Sequence, residues 1–185
     1  GLPMYQLPHT SDALLANYAS GKIVREIGKN FEYNNADYIV LGKIIERLTG
    51  GSFEDALKQR ILVPLAMTDS GMLHQTDITA GLAVTYFRPA ASAPLVNDLP
   101  VYMENWYAAG GMYADAADLA AFAEALYGHR LLKPETVALM LKPGLDEYGY
   151  GLWVRDIEVR GKTFTIAQRP GSIMGANTLL MRVVE

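Results

Sequence analysis

The 185-residue chain contains no cysteine. That excludes a disulfide scaffold, a thiolate-bound zinc and a thiol nucleophile, and it leaves the compartment open. Long apolar runs are missing as well. No stretch approaches the roughly 18 consecutive apolar residues of a membrane span, so none is expected in this chain. Basic runs are absent too: 16 Lys+Arg stand against 20 Asp+Glu, a formal charge of −4. Nucleic-acid affinity rests on clustered Lys and Arg, so no nucleic-acid partner is expected. The start, Gly1-Leu2-Pro3-Met4-Tyr5, has neither the basic flank nor the apolar run of a signal peptide, and no initiator methionine. The far end, Thr178–Glu185, stops inside what reads as a strand, so both ends read as cuts through a larger protein. Several chemical signatures are also lacking: no Gly-x-Ser-x-Gly elbow, no His-Glu-x-x-His, no P-loop, and no dinucleotide fingerprint after Gly149-Tyr150-Gly151. His9, His74 and His129 lie far apart in unlike contexts. No metal site and no cofactor are expected.

What is present is enough for a core. Hydrophobic residues make up 50% and charged residues 19%, the balance of a globular chain, and the length suits one domain at roughly 100–200 residues per domain. His9–Asp12 offers capping oxygens to a short helix over Ala13–Ala19. Leu41, Ile44, Ile45 and Leu48 recur at helical spacing and predict a helix from Ala36 to Thr49 with that stripe as one face. Ser52–Asp55 reads as a cap for a helix that ends before Pro64. Between residues 66 and 104 the expectation is loop with short strands, for instance near Leu82–Phe87. Asp115 caps a helix over Ala116–Tyr127, with Leu119, Phe122, Ala123 and Leu126 in one stripe, and Pro134 suits the first turn of a helix ending at Leu141. Strands follow: Tyr150–Val159, a turn at Arg160-Gly161, Thr163–Ile166 and Thr178–Val184. There is no internal repeat. The expected architecture is α+β in a single truncated domain, residues 1–185, with a mainly helical lobe to about residue 145 and part of an antiparallel sheet from about 146. Open sheet edges would favour self-association.

Tyr33-Asn34-Asn35 sits just before the strongly periodic helix. Alone, Tyr-x-Asn is weak, and its ordinary structural meaning is a capping Asn beside a packing Tyr. The surrounding run adds to it. Phe31–Gly50 resembles the second motif of class C β-lactamases and their relatives, which include D-alanyl-D-alanine carboxypeptidases, D-aminopeptidases and family VIII esterases. The succession continues with Ile61–Gly71, Ala109–Phe122, Leu131–Thr136 and Tyr148–Trp153, in the family's order, over about residues 10–182.

The resemblance implies a partial β-lactamase/transpeptidase-like fold and an acyl-serine mechanism on β-lactams, D-amino-acid peptides or small esters, with a small molecule or peptide as substrate. It implies Tyr33 as acid/base beside a Ser-x-x-Lys nucleophile and Asn35 as an amide donor. A cationic strand motif would supply an oxyanion N–H, which carries over to Arg169, Gly171 and Ser172. Two departures stand out. None of Ser11, Ser20, Ser52, Ser70, Ser92 or Ser172 has Lys three residues on, so the nucleophile is missing from this chain. Arg169 replaces the usual Lys or His; it keeps the charge and cannot shuttle a proton. Its alternative is a surface arginine at a strand end. Hence a second function stays open, a non-catalytic binding homologue of the same fold. Family habits imply a periplasmic or secreted parent, with a cytoplasmic one as the alternative. Trp106 and Tyr107 are candidates for a cleft wall or for plain packing, and Tyr148, Tyr150 and Trp153 for sheet packing.

Overall fold

The computed structural model describes residues 4–184. Residues 1–3 and residue 185 lie outside the described residues. The chain divides into two compact units, Gly1–Ala83 with Leu99–Ala123 and Val84–Asp98 with Glu124–Glu185. The α+β reading holds: the first unit is mainly helical and the second carries an antiparallel sheet.

In the first unit α1 (Ser11–Leu14) begins where the Thr10 hydroxyl accepts from the Ala13 N–H at 3.1 Å, and it runs on as a π turn over Leu15–Ala19. The long helix α2 (Asn35–Thr49) follows, then α3 (Phe53–Leu57) with a π turn over Lys58–Leu62. The Ser52 hydroxyl accepts from the Asp55 N–H and donates to the Asp55 carboxylate, the local cap that the sequence promised. Strand β1 (Gly71–Met72) comes next.

The face that α2 buries is not its most regular apolar stripe. Ile39 and Gly42 are buried, whereas the regular stripe is open, from 37% exposure at Ile45 to 81% at Leu48. Periodicity shows that a helix has an apolar side. It does not show which side its neighbours cover.

Strands β2 (Tyr86–Phe87) and β3 (Val96–Asn97) form a small hairpin that belongs to the second unit. The chain then returns to the first unit through β4 (Met112–Tyr113), which pairs antiparallel with β1. Helix α4 (Ala116–Tyr127) opens on Asp115, whose carboxylate accepts from the Asp118 N–H at 2.7 Å. Helix α5 (Pro134–Met140) has Pro in its first turn, where a missing N–H costs nothing.

Three strands close the second unit: β5 (Trp153–Val159), β6 (Lys162–Ile173) and β7 (Ala176–Val184), in the order β5-β6-β7. Arg160 and Gly161, both at positive φ, make the predicted turn. The core here is Leu152, Val154 and Ala167, covered by Tyr127, Met140, Leu141 and Val184. Strand β6 is longer than the sequence suggests, because it continues through Pro170 to Ile173. Its pairing with β5 ends at Gln168↔Trp153, while its pairing with β7 includes Pro170↔Leu179. A residue without an N–H fits where only one side of the strand is paired. Tyr148 meets Trp153 edge to face at 4.8 Å, but Tyr150 is 66% exposed and does not pack on the sheet. No helix among the described residues is long and apolar enough to cross a membrane.

One buried carboxylate binds distant parts of the first unit. Asp118 accepts from the Asp69 N–H at 2.9 Å and from the Ser70 hydroxyl at 2.7 Å, with both side chains buried. The bond spans 48 positions and fixes the chain just before β1 against the start of α4. Asp118→Ala leaves two inward donors without an acceptor, at roughly 1–3 kcal/mol each, and should lower unfolding free energy by about 2–4 kcal/mol. Urea denaturation measures it. A loss no larger than that of a surface control would refute the assignment.

Candidate active site

Helix α2 carries the Tyr-x-Asn motif at its N-terminus, and the cap is the middle residue. Asn34 is extended (φ −140, ψ 127), and its side chain accepts from the Ala36 N–H at 2.9 Å. Tyr33 and Asn35 flank this capping residue, one just before it and one as the first residue of the helix. This separates two roles that the sequence left merged, since the capping asparagine is Asn34 and Asn35 is the first helical residue. Tyr33 and Asn35 are both exposed, and the Tyr33 ring lies 6.2 Å from that of Tyr38.

The helix is seated by contacts that sequence reading missed. A Cβ on Gly42 would lie 2.5 Å from Tyr107 Cε1 and 2.6 Å from Ala108 Cβ. The absent side chain is what lets α2 approach the turn Tyr107–Ala109 so closely. A glycine inside an otherwise apolar helical run was the available signal. Tyr107 also packs its ring 5.2 Å from Phe53, so it is a packing residue of this interface.

Glu46 lies one turn beyond Gly42. Its Oε1 accepts from the Phe53 N–H at 3.1 Å, and its Oε2 pairs with Lys43 Nζ at 2.8 Å. Lys43 in turn stands 3.3 Å from Asp12 on α1. One carboxylate therefore joins α2 to the start of α3 and, through Lys43, to α1. The bond to Lys43 chiefly holds the Glu46 carboxyl below the ordinary range. The same bond chiefly raises Lys43. Burial above all, then the Glu46 carboxylate, pushes the Tyr107 phenol up.

Elsewhere in this unit His74 Nε2 lies 2.9 Å from Glu54 Oε2, with Glu104 at 4.0 Å from Nδ1. The Glu54 bond raises the imidazole above its ordinary value. Among the described residues no group of three or more His, Cys, Asp or Glu is arranged to hold a metal ion.

Arg169, Gly171 and Ser172 all lie on β6 in the second unit, opposite Leu180, Thr178 and Asn177 of β7. The strand therefore runs through Arg169 and does not end there. The guanidinium carbon of Arg169 stands 5.6 Å from the centre of the Trp153 ring, cation–π distance. Tyr33 and Asn35 belong to the first unit.

The profile of the Beta-lactamase family matches residues 1–178. The chain belongs to that family. Among relatives, a human beta-lactamase-like protein is 32% identical over 126 residues, 65% of this chain and 24% of the relative. Teichoic acid D-alanine hydrolase of Staphylococcus aureus is 26% identical over 149 residues, 75% of this chain and 37% of the relative. A solved D-stereospecific amidohydrolase from Streptomyces superposes with a TM-score of 0.80 at 23% identity, over 95% of this chain and 53% of that one. That likeness shows the fold. The chain thus spans well under two thirds of the length of these β-lactamase-family relatives.

The Glu46 anchor has a pH signature. A carboxyl lowered in the folded state contributes stability above its unfolded value, ordinarily 4.5, and loses it as pH falls through the folded value. Stability should therefore decline on acidification below pH 4.5, and Glu46→Gln should flatten part of that decline. Denaturation midpoints across the acid range test it. Parallel curves for the two proteins would show that Glu46 is not the anchor.

Proposed function

We propose that this chain carries the acid/base portion of a serine acyl-transfer site of the β-lactamase family, acting on D-amino-acid amides, esters or peptides, β-lactams included. The observation that carries the reading is the Beta-lactamase family match over residues 1–178, within which Tyr33 and Asn35 flank the capping Asn34 at the start of α2. The names of two relatives, a D-alanine hydrolase and a D-stereospecific amidohydrolase, support the D-configured substrate class. The two units are read as parts of one β-lactamase-like domain.

The chemistry assigns each group a task. The nucleophile is a serine in a Ser-x-x-Lys segment outside these 185 residues. Its Oγ attacks the substrate carbonyl while the Tyr33 phenolate oxygen accepts the proton. Tyr33 then returns that proton to the leaving nitrogen or oxygen as the scissile bond breaks. Water reverses the sequence to release the acid. The Asn35 amide donates to the substrate. Beyond Gln168 the side of β6 facing away from β7 has no β5 partner, which supports assigning backbone groups near Gly171 and Ser172 to an extended substrate and its oxyanion. Arg169, held over Trp153, offers a planar fork for a substrate carboxylate. A second reading, a binding homologue without turnover, draws on the same Arg169-Pro170 departure from the usual Lys or His motif.

In the complete polypeptide that contains the serine, Tyr33→Phe should lower kcat/KM on a D-alanyl amide by roughly 10²–10⁴. The 185-residue chain alone should be silent. A Tyr33→Phe enzyme within a few-fold of wild type would defeat the acid/base role, and a complete polypeptide without turnover would favour the binding homologue.

Self-association follows from the same sheet. Among the described residues β7 pairs only with β6, and β5 pairs with β6 apart from a bridge between Trp153 and Tyr148; Leu179, Met181 and Val183 are exposed along β7. Unpaired apolar edges recruit further strands. Light scattering of the 185-residue chain should show mass rising with concentration; a monomer at every concentration would exclude edge pairing.

A further inference from the structure

The β2–β3 hairpin and the β6–β7 turn make a contact that the acyl-transfer chemistry does not use. Gly175 follows Met174, which has φ +48, at the turn. Its N–H donates to the Asp98 carboxylate, across 77 positions of sequence. A Cβ on Gly175 would lie 2.7 Å from both the backbone N and the carbonyl carbon of Tyr86, so the two backbones touch where any other residue would hold them apart. Asp98 is itself fixed, because its N–H donates to Thr85 O at 3.0 Å and the adjacent Asn97 pairs with Tyr86. At the hairpin's outer end the Arg88 guanidinium donates to Ala93 O at 2.6 Å, which closes the loop on itself.

We propose that Asp98 is a positioning residue. It latches the hairpin Val84–Asp98 onto the β6–β7 turn and thereby holds the last residues of β6, Arg169 to Ser172, in the geometry that receives a substrate carboxylate. The physical need is plain. Past Gln168 these residues have no β5 partner and pair with β7 alone. A two-stranded ribbon is only marginally ordered, and its free end frays unless something fixes the turn. The Asp98 bond, charge-assisted and part-buried, fixes it. The inference rests on assigning Arg169–Ser172 to substrate binding, and the experiment separates the two.

The 185-residue chain is labelled with ¹⁵N and compared as wild type, D98N and D98A, by amide exchange and by titration with N-acetyl-D-alanine and its methyl ester. In the wild type the Gly175 amide should be as protected as the strand amides; exchange at the rate of an open turn overturns the proposal without any variant. D98A should speed exchange at Gly171–Gly175 by roughly tenfold or more, the worth of one charge-assisted bond, and leave Val154 and Ala167 unchanged. It should weaken N-acetyl-D-alanine by a similar factor. D98N, which still offers an oxygen to the Gly175 N–H, should restore both. Exchange in D98A that rises uniformly, or not at all, or that D98N fails to rescue, refutes the latch. A wild type that ignores N-acetyl-D-alanine, or binds its methyl ester equally well, refutes instead the role given to Arg169.

Discussion

Everything in the first unit depends on how closely α2 can sit against the turn Tyr107–Ala109, and that is set by the side chain Gly42 does not have. With ideal Cβ distances of 2.5 and 2.6 Å to its neighbours, even alanine would force the helix or the turn to move. Overpacking of this kind costs roughly 1–3 kcal/mol, more than the ~1 kcal/mol that glycine forfeits to alanine in helix propensity. The close approach therefore outweighs the local preference. It also has a consequence at the far end of the same rigid rod. Tyr33 and Asn35 are carried by the N-terminus of α2, so whatever seats the helix aims them.

Glu46 completes the seat by electrostatics where Gly42 does so by shape. Its carboxylate receives the Phe53 N–H, an otherwise orphaned donor at the start of α3, and the Lys43 ammonium as well. A neutral acceptor could satisfy the first. Only a charge holds Lys43, and through it Asp12. The exposure of these groups keeps the ion pairs themselves modest. Their value is directional: three helices meet at one side chain, so a rotation of α2 about its axis would break bonds to α1 and α3 together.

The sequence disclosed the elements better than their surfaces. Caps were legible because they are local: Thr10, Ser52 and Asp115 each bond within three residues. The stripe Leu41, Ile44, Ile45, Leu48 was legible as a helix face, while which face is buried was not, since burial depends on neighbours that sequence spacing does not contain. The Tyr-x-Asn motif could be found by its succession of landmarks, but the division of labour between Asn34 and Asn35 needed backbone angles. The extension of β6 through Pro170 was hidden for a similar reason. A proline argues against a strand only where both flanks are paired, and which flank is free is a property of the sheet.

Arg169 shows how a local departure changes what the strand motif can do. A lysine or histidine at that place could lose its proton; a guanidinium cannot, and it presents a flat fork where an ammonium presents a point. The Trp153 ring at 5.6 Å suits the flat cation and restrains its plane. Pro170 next to it withholds an N–H on a stretch where β6 has a partner on one side only. The pair thus trades proton-transfer capacity for a fixed, directional positive charge. In the proposed acyl-transfer reading, acid/base work would then fall on a group that can change protonation state. Of the residues assigned there, Tyr33, Asn35, Arg169, Gly171 and Ser172, only the phenol of Tyr33 has both a labile proton and the basicity, once ionised, to take one from a serine hydroxyl.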